Sequence, residues 1–351
     1  MQKLSQPIRR KQSGQSNAES RSLGEDESTK TMKIRLTQID GKFPNLALMK
    51  LSAWYKQQGH QIYFERSINR GLFEPEYDFV FGSSIFTSSK QKIEMFRQNF
   101  PGAVIRGTGT DSLETVEQFL GVDEFEEYDY DIYPEFQNSI GFTQRGCRLR
   151  CKFCVVPQKE GKNKSINSIS KIWRGEPYPK NIHLLDNDFF GQHDWKDKIQ
   201  EAIDGNFKIS FSQGINIRLI DEEGAKLLAK VKYYDDQFKT KRIYTAWDNK
   251  RDEKIFIKGI NHLLNAGIKP NHIMVYFLCN YWEKGLTEDI WYRYNKMKEI
   301  GLMPYPMIYD RPNASNDLKR FQSWVVMRGS NFIPFEQWRT NHIKEIQRQY
   351  L

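Results

Sequence analysis

Gly146-Cys147-Arg148-Leu149-Arg150-Cys151-Lys152-Phe153-Cys154 places three of the chain's four cysteines within eight residues. Soft thiolates grouped this closely suit iron–sulfur chemistry. Three of them on one loop can ligate three irons of a four-iron cluster and leave the fourth iron without a protein ligand, open to a substrate or cofactor. The competing reading is a structural zinc site, which needs a fourth Cys or His and usually shows a second paired knuckle. The remaining cysteine, Cys279, and the nearest histidine, His183, both stand far along the chain.

The spacing CxxxCxxC, with Phe153 directly before the last cysteine, resembles the signature of the radical S-adenosylmethionine (SAM) superfamily. Val155-Val156-Pro157, then Gly161 and Ser165, extend the likeness to the CxFCxxP segment of cobalamin-domain members and of methylthiotransferases. The resemblance implies a 4Fe-4S cluster on Cys147, Cys151 and Cys154. It also implies SAM bound at the open iron, an electron donor such as flavodoxin or ferredoxin, and hydrogen abstraction after reductive cleavage of the sulfonium. The cofactor carries the difficult chemistry; the protein supplies position and dryness.

Outward from the cysteines, apolar runs recur at residues 140–143, 182–185, 207–211, 243–246, 272–278 and 303–308, separated by amphipathic segments. Such alternation implies a parallel sheet of about six strand–helix units. The arrangement is an incomplete, partial (βα)6 version of the eightfold TIM-type barrel, whose chemistry sits on the loops leaving the C-terminal strand ends. The cysteine loop leaves the first strand, Asp186-Asn187-Asp188 the second, Gln213-Gly214 and Arg218 the third, and Trp247-Asp248 the fourth.

By resemblance, the second exit binds the SAM amino group, often through a Gly-Gly-Glu motif. That motif is absent, and Asp186, Asn187 and Asp188 stand in its place; a turn or helix cap is the alternative account of these residues. Gln213 belongs with the same set of cofactor contacts. Arg218 is similar to the family's arginine near the SAM carboxylate, which a guanidinium fork fits; an ion pair with Asp221 or Glu222 competes. Phe153 is expected against the adenine, or packed under its own loop. Cys279, at the end of an apolar run, reads as a small buried hydrophobe.

Residues 1–31 are rich in Ser, Gln, Lys and Arg and nearly devoid of large apolar side chains, so a disordered tail is expected. Residues 32–122 alternate strand and helix: strands from 32, at 61–65, 78–81 and 103–106, with helices at 46–58 and 89–100. This is an α/β, doubly wound pattern. With its Gly107-Thr108-Gly109 exit, it resembles the cobalamin-binding-like domain that precedes many radical SAM barrels. The cobalt-ligating DxHxxG motif is missing and His60 is the segment's sole histidine, so no tight cobalamin binding is expected. Residues 123–136 carry seven acids among three tyrosines and read as an acidic, solvated linker. The barrel is expected over 137–310 and a C-terminal extension over 311–351, whose Trp324, Phe332, Pro334, Phe335 and Trp338 either close the barrel or fill a core.

Residues 145–174 hold nine Lys or Arg against the single acid Glu160. Such a run attracts anions. With a formal net charge of +9, nucleotides and nucleic acid join peptides and small metabolites as candidate substrates, although no nucleic-acid-binding motif is visible. No apolar run approaches the roughly 20 residues of a membrane span, and no secretory signal is evident. Free clustered thiols fit a reducing cytoplasm. Two readings of different class follow: a radical SAM enzyme, with methylthio transfer as a variant, or a noncatalytic iron–sulfur protein that binds nucleic acid or a partner. Methylthiotransferases carry a second cluster on N-terminal cysteines, and residues 1–146 contain none.

Overall fold

The structure, a computed structural model, describes residues 30–338. The expected tail falls almost wholly outside the described residues, as does the end of the C-terminal extension beyond residue 338. The chain divides into two compact units between Phe136 and Gln137.

The first unit opens with β1 (Lys33–Gln38), followed by α1 (Leu46–Gln57), β2 (Gln61–Glu65), β3 (Phe79–Ser83), α2 (Lys90–Asn99), β4 (Val104–Arg106) and α3 (Val116–Leu120). The strands are all parallel, in the order β2-β1-β3-β4. Alternation along β1 decides what each face meets. Ile34 and Leu36 share a core with Leu48, Met49 and Leu51 of α1 and with Phe81. Past the strand, Ile39 packs with Ile93 and Phe96 of α2 and with Ile105 of β4. Asn45 starts α1 by accepting from the Leu48 amide at 3.2 Å, and a Thr115–Gln118 capping box starts α3.

Residues 123–136 are not a solvated linker. Tyr133 is fully buried and Ile132 nearly so, in the same core as α1. Their acids meet cations on α1: Lys50 bridges Glu126 and Glu117 of α3 at 2.6 Å each, and Lys56 pairs with Asp129 at 2.8 Å. The tyrosines and Ile132 supply the apolar face that acid density alone concealed.

The second unit runs β5 (Ser139–Gly141), β6 (Gln144–Arg145), α4 (Val156–Lys159), β7 (Lys164–Ser165), α5 (Ile169–Ile172), β8 (Asn181–Leu184), α6 (Trp195–Asp204), β9 (Lys208–Phe211), α7 (Glu222–Lys230), β10 (Lys232–Tyr233), β11 (Ile243–Ala246), α8 (Glu253–Asn265), β12 (Ile273–Cys279), α9 (Glu288–Glu299), β13 (Met303–Ile308) and α10 (Asn316–Val326). All six expected strands form, and the fold is mixed α/β with parallel sheets. Their hydrogen bonding, however, falls into two sheets, β10-β9-β8-β5 and β11-β12-β13. The reason is β10, a two-residue strand that takes the edge of β9 by pairing Lys232 with Lys208 and Tyr233 with Ile209. Past the end of β9 the chain reaches β11 by single bonds: the Ile215 amide donates to the Tyr244 carbonyl at 2.8 Å, and the Thr245 hydroxyl donates to the Ile215 carbonyl at 2.9 Å.

Ile182, Leu184, Ile209, Phe211, Ile243, Val275 and Phe277 share one core with apolar residues of α6 to α10. The described part of the expected extension belongs to that core. Phe321 and Trp324 of α10 lie with Phe335 and Trp338 in it, while Phe332 is exposed.

Candidate cluster and cofactor site

The cysteine loop is held at its base by the antiparallel pair β6–β7, in which Gln144 faces Ser165 and Arg145 faces Lys164. Gly146 has φ 78°, and a Cβ there would overlap the Lys162 carbonyl oxygen, so only glycine fits this closure. The Cys147 amide then donates to the Gly161 carbonyl at 3.3 Å, and the Cys154 amide to the Cys151 carbonyl at 3.0 Å. Glu160, the one acid of the basic run, accepts from the Gly146 amide at 3.0 Å and from Asn187 Nδ2 at 3.2 Å, with Arg145 at 3.6 Å. These bonds fix both ends of the loop that carries the thiols.

Cys147, Cys151 and Cys154 are half-buried and make no disulfide. Burial pushes the Cys147 and Cys154 thiols up, and each also feels the neighbouring thiols. Among the described residues, no three His, Cys, Asp or Glu side chains converge closely enough to share one metal ion. A cubane does not ask for that convergence, because each thiolate takes a different iron. Three half-buried thiols on one pinned loop are thus available as metal or cluster ligands.

The residues of the second exit divide their tasks. Asp186 is buried beneath the loop, accepting from the Thr143 amide at 2.8 Å, the Gln144 amide at 3.1 Å and the Thr143 hydroxyl. Burial pushes its carboxyl up to about 7. Asp188 is also buried and accepts from Arg148 Nε at 3.0 Å and Asn163 Nδ2 at 3.2 Å. Both aspartates thus bond to the cysteine loop or its base, and Asp188 Oδ1 is buried without a hydrogen-bond partner among the described residues. Asn187, half-buried, gives its amide nitrogen to Glu160 and keeps an oxygen acceptor.

Beyond β9, Gln213 is exposed. Gly214 has φ 81° and a Cβ there would sit 3.2 Å from the Tyr244 carbonyl oxygen. Arg218 pairs with neither Asp221 nor Glu222. Its Nε donates to Asn216 Oδ1 at 3.2 Å, and its NH1 lies 3.4 Å from Asp252. Asp221 caps α7 and Glu222 pairs with Lys226, which removes both from its reach. Asp248, just past β11, accepts from the Leu278 amide at 3.1 Å. Burial raises its pKa, and its charge reaches Cys154 as well as Arg218. Cys279 is buried, its thiol pushed up to about 12 by that burial, consistent with a packing role.

The ring of Phe153 meets the edge of Tyr281 at 5.5 Å, and Tyr281 meets Tyr309 at 4.9 Å. An aromatic wall made by the loops after β12 and β13 thus stands beside the cysteine loop. Neither tyrosine is marked as a site residue by the sequence, since each lies just past the apolar run of its strand. The available signal was Asn280, whose φ of 67° turns the chain at the strand end. A cavity of about 610 Å³ is lined by residues that include Asn249, Leu278, Trp282, Asp289 and Arg293. Arg293, buried at its wall, donates to the Trp247 and Leu278 carbonyls at 3.0 Å each and pairs with Asp289 at 2.7 Å.

In the first unit, His60 precedes β2 at the N-terminal edge of the sheet, with its Nδ1 accepting from the Met32 amide at 3.4 Å. At the opposite edge, Asp40 accepts from Ser84 Oγ at 2.6 Å and the Ile85 amide at 2.8 Å. Gly107 and Gly109 let the β4 exit lie on the Ser84–Phe86 backbone, where a Cβ on either would overlap.

No protein-family model matches this sequence, and no curated protein matches it. Among solved structures, the apo, selenomethionine-labelled form of the cobalamin-dependent S-adenosylmethionine radical enzyme OxsB has the same fold, with a TM-score of 0.52 at 13% identity. The likeness covers 89% of this chain and 57% of that one, so the chain spans little more than half the neighbour's length. Among the described residues, no helix is long and apolar enough to cross a membrane.

Proposed function

We propose that the chain is a radical SAM enzyme, reading its first unit as a doubly wound, cobalamin-binding-like domain and its second as a partial (βα)6 barrel. The observation that carries this reading is three neighbouring, half-buried thiols on a pinned loop at the C-terminal end of a parallel strand, beside an aromatic wall. The fold shared with a radical SAM enzyme supports it. Bound together, a 4Fe-4S cluster and SAM supply reductive cleavage of the sulfonium and hydrogen abstraction from an unreactive carbon.

The chain's own groups then have definite tasks. Cys147, Cys151 and Cys154 hold three irons. Asp186 and Asp188 keep the loop in place from beneath, through Thr143, Gln144 and Arg148. Of the second-exit residues, Asn187 keeps an acceptor for the SAM ammonium. Phe153 and Tyr281 offer an apolar surface to the adenine, and Arg218, a third exposed, exchanges Asp252 for the SAM carboxylate. Tyr281 and Trp282 continue that wall outward. A reductant of the flavodoxin or ferredoxin kind and a reducing cytoplasm are part of the proposal.

Cobalamin belongs to the described activity of the structural neighbour. Here the first unit's one histidine stands at the edge of the sheet opposite the strand exits, where open α/β sheets take ligands. We therefore assign no cobalt ligand to this unit. Methylthio transfer lacks the N-terminal cysteines for a second cluster.

Anaerobic reconstitution should give about four irons per chain, and added dithionite should cleave SAM. Alanine at any one of Cys147, Cys151 or Cys154 should abolish both, whereas Cys279→Ala should spare both. Zinc uptake without iron would overturn the proposal. A stable cluster that never cleaves SAM would move the chain to the noncatalytic class.

A further inference from the structure

In the second unit the strands alternate. Ile182, Leu184, Ile209, Phe211, Ile243 and Val275 turn toward the helices. The residues between them, His183, Ser210, Tyr244, Tyr276 and Tyr305, line the other face. That face is aromatic across β11 to β13: Tyr244 stacks on Tyr276 at 5.8 Å, and Tyr276 meets Tyr305 edge-on at 5.4 Å. It is also open, for Ser212, Tyr276 and Tyr305 are partly exposed and Ala246 is exposed.

One carboxylate reaches into it. The connection from β10 to β11 doubles back, with the Asp235 amide donating to the Thr240 carbonyl at 2.8 Å. Phe238 packs 4.7 Å from the His183 ring in a left-handed conformation, φ 55°, which a phenylalanine holds only where its surroundings over-determine it. This fold-back sets Asp236 between the two sheets. Ser210 and Ser212 donate to its Oδ1 at 2.7 and 3.0 Å, and His183 Nδ1 lies 3.9 Å from the same oxygen. Both serine bonds fall on Oδ1, and among the described ion pairs the partner of this carboxylate is His183.

Burial raises the Asp236 pKa, but His183, Ser210 and Ser212 outweigh that and hold it below the usual carboxylate range. The group is therefore charged at neutral pH and still 37% exposed. Arg242, a guanidinium at the start of β11, is committed to the Asn271 carbonyl at 2.9 Å.

We infer that this face binds the ammonium group of an amine-bearing substrate, with Asp236 as the counter-charge and Tyr244, Tyr276 and Tyr305 as the walls. A carboxylate attracts a cation, and tyrosine rings present negative faces to it. An anion would be repelled by both. A neutral hydroxyl would gain no charge–charge attraction from Asp236. That the bound amine is the enzyme's substrate rests on the radical SAM reading; that the face takes an ammonium does not.

The test uses the full chain, reconstituted anaerobically, with benzylamine and its neutral counterpart benzyl alcohol as calorimetric probes. The amine should bind at least about tenfold more tightly than the alcohol. Asp236→Asn should bring the ratio to about one while iron content and SAM affinity stay unchanged. Because that variant also disturbs two serines, Tyr276→Leu gives a second measure: amine affinity should fall about threefold and alcohol affinity should not. Equal affinities in the wild type, or a preference that survives Asp236→Asn, would overturn the assignment. Amine preference without SAM cleavage would sink the enzyme class alone, and SAM cleavage without amine preference would sink this site alone.

Discussion

Asp186 shows how much one side chain's surroundings decide. Asp186-Asn187-Asp188 is legible in the sequence as a polar strand exit, but not as two aspartates bonded to the cysteine loop and its base; those bonds depend on Thr143 and Arg148, about forty residues away. Its carboxyl, pushed up to about 7 by burial, stands well above the unfolded value of about 4. The folded chain holds this proton where the unfolded chain releases it. The stability it contributes is therefore complete below about pH 4 and lost as pH rises through about 7. Asp186→Asn should flatten that part of the stability–pH curve measured by urea unfolding; an unchanged slope would show that another group governs it. Arg218 makes the opposite case. Its ion pair with Asp252 is a third exposed, so Arg218→Ala should cost under about 1 kcal/mol of stability. If it meets the SAM carboxylate, the same change should weaken SAM binding at least tenfold, about 1.4 kcal/mol or more, with iron content unaltered. Equal SAM affinity would leave Arg218 a merely structural residue.

At the scale of elements, the six principal strands of the second unit and the four of the first follow from apolar runs and their spacing. Two things do not. A two-residue strand has no period to read, so β10 and the split into two sheets stay hidden. Residues 123–136 look solvated because their acids outnumber their apolar groups, yet Ile132 and Tyr133 are what face α1. The partner of those acids is Lys50, nearly buried in the middle of a helix and bridging carboxylates from α3 and from this segment. Removing one member of a buried ionic cluster leaves charge uncompensated. Lys50→Met should accordingly cost roughly 3 kcal/mol. A urea midpoint equal to wild type would show that Glu117 and Glu126 find other partners, and neutralising both along with Lys50 should recover part of the loss.

For the whole molecule, the two units call for separate tests, because chemistry is proposed for the second and only a scaffold for the first. The full chain purified from corrinoid-supplemented cells should carry no stoichiometric corrinoid in its visible spectrum, since His60 stands at the sheet edge away from the strand exits. A one-to-one corrinoid band would show binding without a protein ligand to cobalt. Within the second unit, Arg293 has a mechanical consequence. One planar guanidinium is bolted to a carbonyl just past β11 and to one near the end of the neighbouring β12. The loop that carries Asp248 and the loop that carries Tyr281 are thereby fastened to a common rivet. A push on the aromatic wall from an arriving molecule is transmitted to the Asp248 side as displacement, not absorbed as slack between two independent flaps.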